Sequence, residues 1–179
     1  MEILNRNNLS VFLNKNNLTN IGAEIGVKNG RYSDKILSKW EGKLLYSVDC
    51  WSGEDPTTNK RYINTKEILK KYKNRSKIII ATSDKARRRI KNNSLDFCYI
   101  DADHNYEQVR NDIKWWWRKV KNGGILCGHD YGYNFKPRDQ WPWPGVEKAV
   151  NEFAQENNLS VHTDTEKHKK AKSWYIKKW

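Results

Sequence analysis

The chain has 179 residues, 37% of them hydrophobic and 31% charged, and a net charge of +13. That length suits one domain with one core, the absence of an 18-residue apolar run argues against a transmembrane helix, and an N-terminus broken by Asn and Lys lacks a signal peptide's apolar core. Cys50, Cys98 and Cys127 fit no metal or redox spacing, and they read as buried reduced thiols of a cytoplasmic protein.

A short helix over 7–17, carrying Leu9, Phe12 and Leu13, opens the chain. The apolar strand 21–25 closes on Gly26, a second glycine follows at Gly30, and Tyr32, Ile36 and Leu37 then recur at helical spacing over 31–40. A buried strand therefore turns sharply into a helix, and glycines at such a turn let backbone approach a ligand. The spacing is Glu24-x-Gly26-x-x-x-Gly30, without the third glycine of the G-x-G-x-x-G fingerprint. That omission argues against a pyrophosphate cradle and hence against NAD. The next strand, 44–49, ends in Asp49, 23 residues after Gly26, where a carboxylate can accept hydrogen bonds from ribose hydroxyls.

Helix 61–73, strand 77–81 and helix 84–91 follow, with Ser83 just past the strand. Strand 96–100 then runs into Asp101-Ala102-Asp103-His104, and helix 105–120 carries Trp115-Trp116-Trp117. Consecutive helix positions point about 100° apart, so three Trp cannot share a face. They read as packing: one on the sheet beside Val109 and Ile113, another at a helix–helix or subunit contact. Lys121 to Gly124 form a turn, and strand 124–128 ends in Gly128-His129-Asp130-Tyr131. Helix 145–157 and strands 159–163 and 172–177 complete the chain. Strands alternating with helices imply a mostly parallel sheet with helices on both faces.

All four prolines fall in two long loops, 51–60 and 131–144, that leave the carboxyl edge of the sheet, where ligands bind in doubly wound folds. Trp51 opens the first; Tyr131, Trp141 and Trp143 stand in the second, where flat aromatic faces suit a sugar or another planar ligand. The positive charge invites nucleic acid as a partner, but lysine is spread along the whole chain, which argues for compositional bias instead.

The E-x-G-x-x-x-G turn, Asp49, and the DADH and GHDY stretches together resemble class I S-adenosylmethionine-dependent methyltransferases, closest to small-molecule and sugar O-methyltransferases. The resemblance covers nearly the whole chain as one domain, 1–179. It implies a Rossmann-like, doubly wound sheet of seven strands with the last antiparallel. It also implies S-adenosylmethionine as cofactor and a small-molecule or glycan hydroxyl as acceptor. Gly26, Gly30 and Glu24 would hold the methionine end, with Ser33 on its carboxylate. Asp49 and Trp51 would border the ribose, Ser83 the adenine, and Asp101 the methyl group. Glu24 is expected to hold the glycine loop through backbone hydrogen bonds.

Metal-dependent relatives draw ligands from positions matching Asp101, His129 and Asp130. The cation implied is divalent, Mg²⁺ or Mn²⁺; Mg²⁺ prefers oxygen ligands, whereas an imidazole at His129 suits Mn, Fe or Zn better, and the alternative is that His129 only orients Asp130. His104, whose ordinary pKa lies near neutrality, is the expected base, with Asp103 as the alternative; each is also a candidate cap for the helix that follows. Tyr131, Trp141 and Trp143 are the expected acceptor contacts. Two competing readings are a ribose methyltransferase acting on RNA and a non-catalytic cofactor-binding subunit.

Overall fold

A computed structural model describes residues 4–52, 55–132, 145–164 and 171–179. Seven strands form one sheet: β1 Ile21–Ile25, β2 Leu44–Asp49, β3 Ser76–Ile80, β4 Leu95–Ile100, β5 Val120–Tyr131, β6 His162–Thr163 and β7 Lys172–Lys177, in the order β3-β2-β1-β4-β5-β7-β6. The first five pair in parallel, and β7 runs antiparallel to both neighbours, β5 and β6. The helices are α1 Leu9–Lys15, α2 Arg31–Lys39, α3 Lys60–Leu69, α4 Ser83–Arg87, α5 Tyr106–Trp117 and α6 Gly145–Glu156.

The central strand β4, LDFCYI, is buried at every position, and its side chains alternate between two cores. Cys98 and Ile100 join Ala23, Ile25 and Val48 beneath α4, α5 and α6. Phe97 and Tyr99 face the other way, toward Leu9, Leu13, Ile36, Leu37 and Trp40 of the α1–α2 side. Trp40 and Trp174 are fully buried because each indole N–H finds a carbonyl, Leu18 at 2.7 Å and His129 at 3.2 Å. Helix α1 is stitched to α2 by Ser10 Oγ on the Ile36 carbonyl (3.1 Å) and Asn14 Nδ2 on that of Lys39 (2.9 Å).

Several sequence expectations change. The turn at Lys121–Gly124 is a bulge inside β5, where pairing with β4 jumps from Leu95–Val120 to Phe97–Ile125. The helix expected over 61–73 ends as α-helix at Leu69 and continues as a 3₁₀ turn through Arg75, broken where Lys73 takes φ +50°. Helix α4 has only five residues and β6 only two. Cys50 is exposed, whereas Cys98 and Cys127 are buried free thiols. Among the described residues no helix is long and apolar enough to cross a membrane.

Candidate active site

The carboxyl ends of β3, β2, β1, β4 and β5 lie side by side, so the loops that follow them share one rim. At β1, Gly26 has φ +92°, and a Cβ there would stand 2.1 Å from the Asp101 carbonyl oxygen. Gly30 has φ +79°, with Thr65 Cα of α3 2.9 Å from where its Cβ would be. Both glycines are thus required by neighbouring backbone and by left-handed geometry, whatever ligand the turn accommodates.

Behind the turn, the fully buried Ser33 hydroxyl donates to Glu24 and lies 2.9 Å from Ser47 Oγ. Two expectations change here. Ser33 faces the interior and does not reach the cavity, and the Glu24 carboxylate's described hydrogen bond is to the helix, not to the glycine loop backbone. Burial pushes the Glu24 carboxyl up, and the Ser33 hydrogen bond only partly opposes it, to a pKa of about 8.

At β2, both Asp49 carboxylate oxygens accept backbone N–H groups, from Lys28 at 2.7 Å and Trp51 at 2.9 Å. Trp51, at φ +40°, is buried against Tyr62 and donates its indole N–H to the Lys28 carbonyl at 2.7 Å. Asp49 therefore clamps the loops after β1 and β2 together at the rim. Past β3, Ser83 Oγ donates to the buried Asp112 and accepts from the Trp116 indole at 2.8 Å. Burial raises the Asp112 carboxyl to about 6 against hydrogen bonds from Ser83 and Gln108. Trp115 borders the same region with the Arg87 guanidinium 4.7 Å over its ring, while Trp117 packs on Phe153 of α6.

The ends of β4 and β5 hold the densest cluster. His104 Nε2 lies 2.9 Å from Asp130 Oδ2 and 3.7 Å from Asp101 Oδ1. Asp130 sits at φ +62°, a sparsely populated conformation for a non-glycine residue. Partial burial alone would lower the His104 pKa, but hydrogen bonds and charge from Asp101 and Asp130 raise it to about 9. The neighbouring carboxylates therefore shift His104 away from the partly neutral imidazole expected at pH 7 and toward the imidazolium. Burial would raise Asp130, yet His104 and His129 hold it well below the usual carboxylate range.

Asp101, His104 and Asp130 offer ligand atoms that all lie within 4.8 Å of one another. His129 is not part of that group; its Nδ1 lies 3.1 Å from the other Asp130 oxygen, so it orients Asp130. Asp103 accepts from the Asn105 backbone N–H at 2.8 Å, and Asn105 caps α5 by accepting from Glu107 at 3.0 Å. Tyr131 is tied to Asn151 of α6 at 2.9 Å and does not line the cavity. Trp141 and Trp143 lie outside the described residues.

A cavity of about 1350 Å³ runs along this rim, and Gly26, Asp49, Trp51, Ser83, Asp101 and His104 all line it. Arg6, Asp112 and Trp115 also line it, and sequence reasoning missed all three. Gln108, Asp112 and Trp115 stand at i, i+4 and i+7 on α5, a spacing that marks one helix face and was available to be read. Arg6 leaves no such signal.

A doubly wound sheet with a glycine turn, an acid at the end of its second strand and a cavity at its carboxyl edge has the architecture of a ligand-binding α/β domain. The methyltransferase domain family matches residues 23–131, and the chain belongs to that family. An uncharacterized protein of Acanthamoeba polyphaga mimivirus is 29% identical over 154 residues, which are 80% of this chain and 64% of that protein, so the chain spans just under two thirds of its length. An O-methyltransferase from Bacillus cereus in complex with SAH superposes with a TM-score of 0.74 at 16% identity, over 97% of this chain and 80% of that one. An O-methyltransferase of tomaymycin synthesis from Streptomyces achromogenes, in complex with SAM, gives 0.69 at 11% identity, over 97% and 79%.

Proposed function

We propose that the protein is an S-adenosylmethionine-dependent O-methyltransferase that methylates a hydroxyl of a small acceptor, a sugar or glycan. The observation that carries this reading is the one cavity that Asp49, the glycine turn, Asp101 and His104 all line, with Asp130 in contact with His104 behind them. All described strands joining one sheet supports 1–179 as one methyltransferase domain. Two buried free thiols support a reducing cytoplasmic setting.

In this reading Asp49 accepts from the ribose hydroxyls, Ser83 and Trp115 border the adenine, and the methyl group faces Asp101 and His104. A sulfonium carries its own activation, so the protein's part is to align the acceptor oxygen and remove its proton. His104 takes that proton once it has lost its own. The positive charge of a bound sulfonium nearby favours the neutral imidazole, because like charges lower a cationic acid's pKa. Asp103, exposed and already accepting from Asn105, is the weaker base. A cation, where one is used, would be held by Asp101, His104 and Asp130, a mixed nitrogen–oxygen set that suits Mn²⁺ better than Mg²⁺, and would lower the pKa of the acceptor hydroxyl; His104 would then be a ligand, and Asp103 the base in its place.

The test is calorimetry with S-adenosylhomocysteine and NAD, followed by methyl transfer to a panel of sugars and other hydroxylated acceptors, with and without EDTA. Binding of NAD but not of S-adenosylhomocysteine would overturn the reading. The net charge of +13 favours RNA ribose methylation as the second reading. RNA binding that survives physiological salt, with methyl incorporation into RNA, would make it the first.

A further inference from the structure

Arg6 lies outside the residues matched to the methyltransferase family, yet it lines the cavity. The segment that carries it is built to hold it there. Leu4 and Leu9 are buried on either side. Between them the chain folds into a turn closed by asparagine side chains: Asn5 N–H on Asn8 Oδ1 at 2.7 Å, and the Asn7 and Asn8 N–H groups on Asn5 Oδ1 at 2.8 and 3.1 Å. Lys35 of α2 pins this turn through Asn7 Oδ1 at 2.6 Å. The Arg6 guanidinium then lies 4.5 Å over the Tyr32 ring, with one nitrogen 3.0 Å from Asp101 Oδ2. Its side chain is 38% exposed. A guanidinium has five N–H donors in a planar fork, so donors remain for a ligand.

The position of this fork is informative. The Asp101 main-chain oxygen is the atom a Cβ on Gly26 would strike, so Arg6 and its partner stand directly beside the glycine turn. If that turn takes the methionine end of the cofactor, a zwitterion arrives there with one carboxylate and one ammonium. An arginine and an aspartate already paired with each other offer the complementary two charges. Ser33, the sequence-based candidate for the carboxylate, is buried behind the cavity wall. Among the described residues the other cations on the lining are Lys28, Arg31 and Arg61, which are exposed and would lose more freedom on binding, and Lys35, which is already held by Asn7.

We propose that Arg6 binds the α-carboxylate of the cofactor's amino-acid end, with Asp101 facing the α-ammonium. This rests on the cofactor reading above and names a residue for it that the family match does not include. An anionic group on the acceptor is the other source of negative charge for the same guanidinium, and two cofactor fragments separate the sources. S-Adenosylhomocysteine carries the amino-acid end; 5′-methylthioadenosine has the same adenosine and thioether without it.

The experiment is calorimetry of both ligands on the full chain, wild type, Arg6→Ala and Arg6→Lys. Loss of a charge-assisted, forked contact predicts about a 10–100-fold weaker Kd for S-adenosylhomocysteine in Arg6→Ala, with 5′-methylthioadenosine unchanged within about 2-fold and Arg6→Lys in between. Unchanged 5′-methylthioadenosine binding also establishes that the variant is folded. Equal losses for the two ligands, or an unchanged Kd for S-adenosylhomocysteine, would overturn the assignment while leaving the cofactor reading standing. A wild type that binds neither ligand would overturn both.

Discussion

Replacing Asp130 with Asn probes the cluster at the ends of β4 and β5. The His104 pKa stands at about 9 against an ordinary 6.5, although partial burial works to lower it. That difference corresponds to roughly 3 kcal/mol in favour of the imidazolium. Two carboxylates supply it, and Asp101 is already shared with Arg6 at 3.0 Å. Removing the Asp130 charge should therefore withdraw about half of the shift and bring His104 to roughly 7.5–8.

Because the folded His104 pKa is raised and that of Asp130 lowered, the stabilisation from this cluster is complete between about pH 4 and 6.5; it is lost as pH rises through about 9, and also as pH falls below about 4. At pH 7 the variant should be less stable by about 1–3 kcal/mol, the lower part of the range for partly buried pairs. The assay is an NMR titration of the His104 ring proton in EDTA from about pH 5 to pH 10, assigned with His104→Gln, alongside urea unfolding at several pH values. Titration of wild-type His104 near 6.5, or an Asp130→Asn curve that does not move, would refute the account. In the active enzyme, kcat/KM should rise with pH toward the same limb, and Asp130→Asn should shift that limb toward neutrality.

Asp49→Ala should weaken S-adenosylhomocysteine binding by about 1.5–3 kcal/mol in calorimetry, because a charged acceptor is lost and the Lys28 and Trp51 N–H groups it holds are released. Lys121→Ala should destabilise the protein by about 1–3 kcal/mol in urea unfolding: Lys121 Nζ lies 2.6 Å from the fully buried Asp96 carboxylate, which would keep the Asn20 backbone N–H but lose its counter-charge, at the far end of the sheet from the site. Stability should also fall between about pH 4.5 and 8, since the Glu24 carboxyl is raised to about 8 and folding favours its protonated form; Glu24→Gln should flatten unfolding free energies across that window.

What could be read beforehand follows from how local each signal is. Strands β1 and β2 matched because an apolar run ending in a turn glycine or an acid needs only its neighbours to be recognised. Acids at the ends of apolar strands, Asp49 and Asp101, line the cavity for the same reason, and Asp130 meets His104 beside them. The side chain of Ser33 was misdirected because sequence does not say which way the third residue of α2 points; the structure turns it to Glu24 and Ser47. The break at Lys73 carries no glycine or proline to announce it. For Trp115 the spacing with Gln108 and Asp112 marks a shared helix face, but only the tertiary fold says that this face meets the cavity. Arg6 acts on Asp101 across most of the family-matched fold, a contact no periodicity encodes. His104 was recognised, but its charge depends on Asp130, brought to it by the pairing of β4 with β5.

The two turn glycines have an evolutionary consequence. Each is pinned by the protein itself, Gly26 by the Asp101 carbonyl and Gly30 by Thr65. A descendant that gave up methyl transfer altogether would still need both to bring β4 and α3 against the turn. The motif by which such chains are most readily recognised is therefore a poor witness to activity. In a degenerate copy, loss of Asp49, His104 and Asp130 beside intact glycines would be the mark of a lineage that kept the architecture and abandoned the chemistry, even though the loop clamp and the ion cluster would go with them.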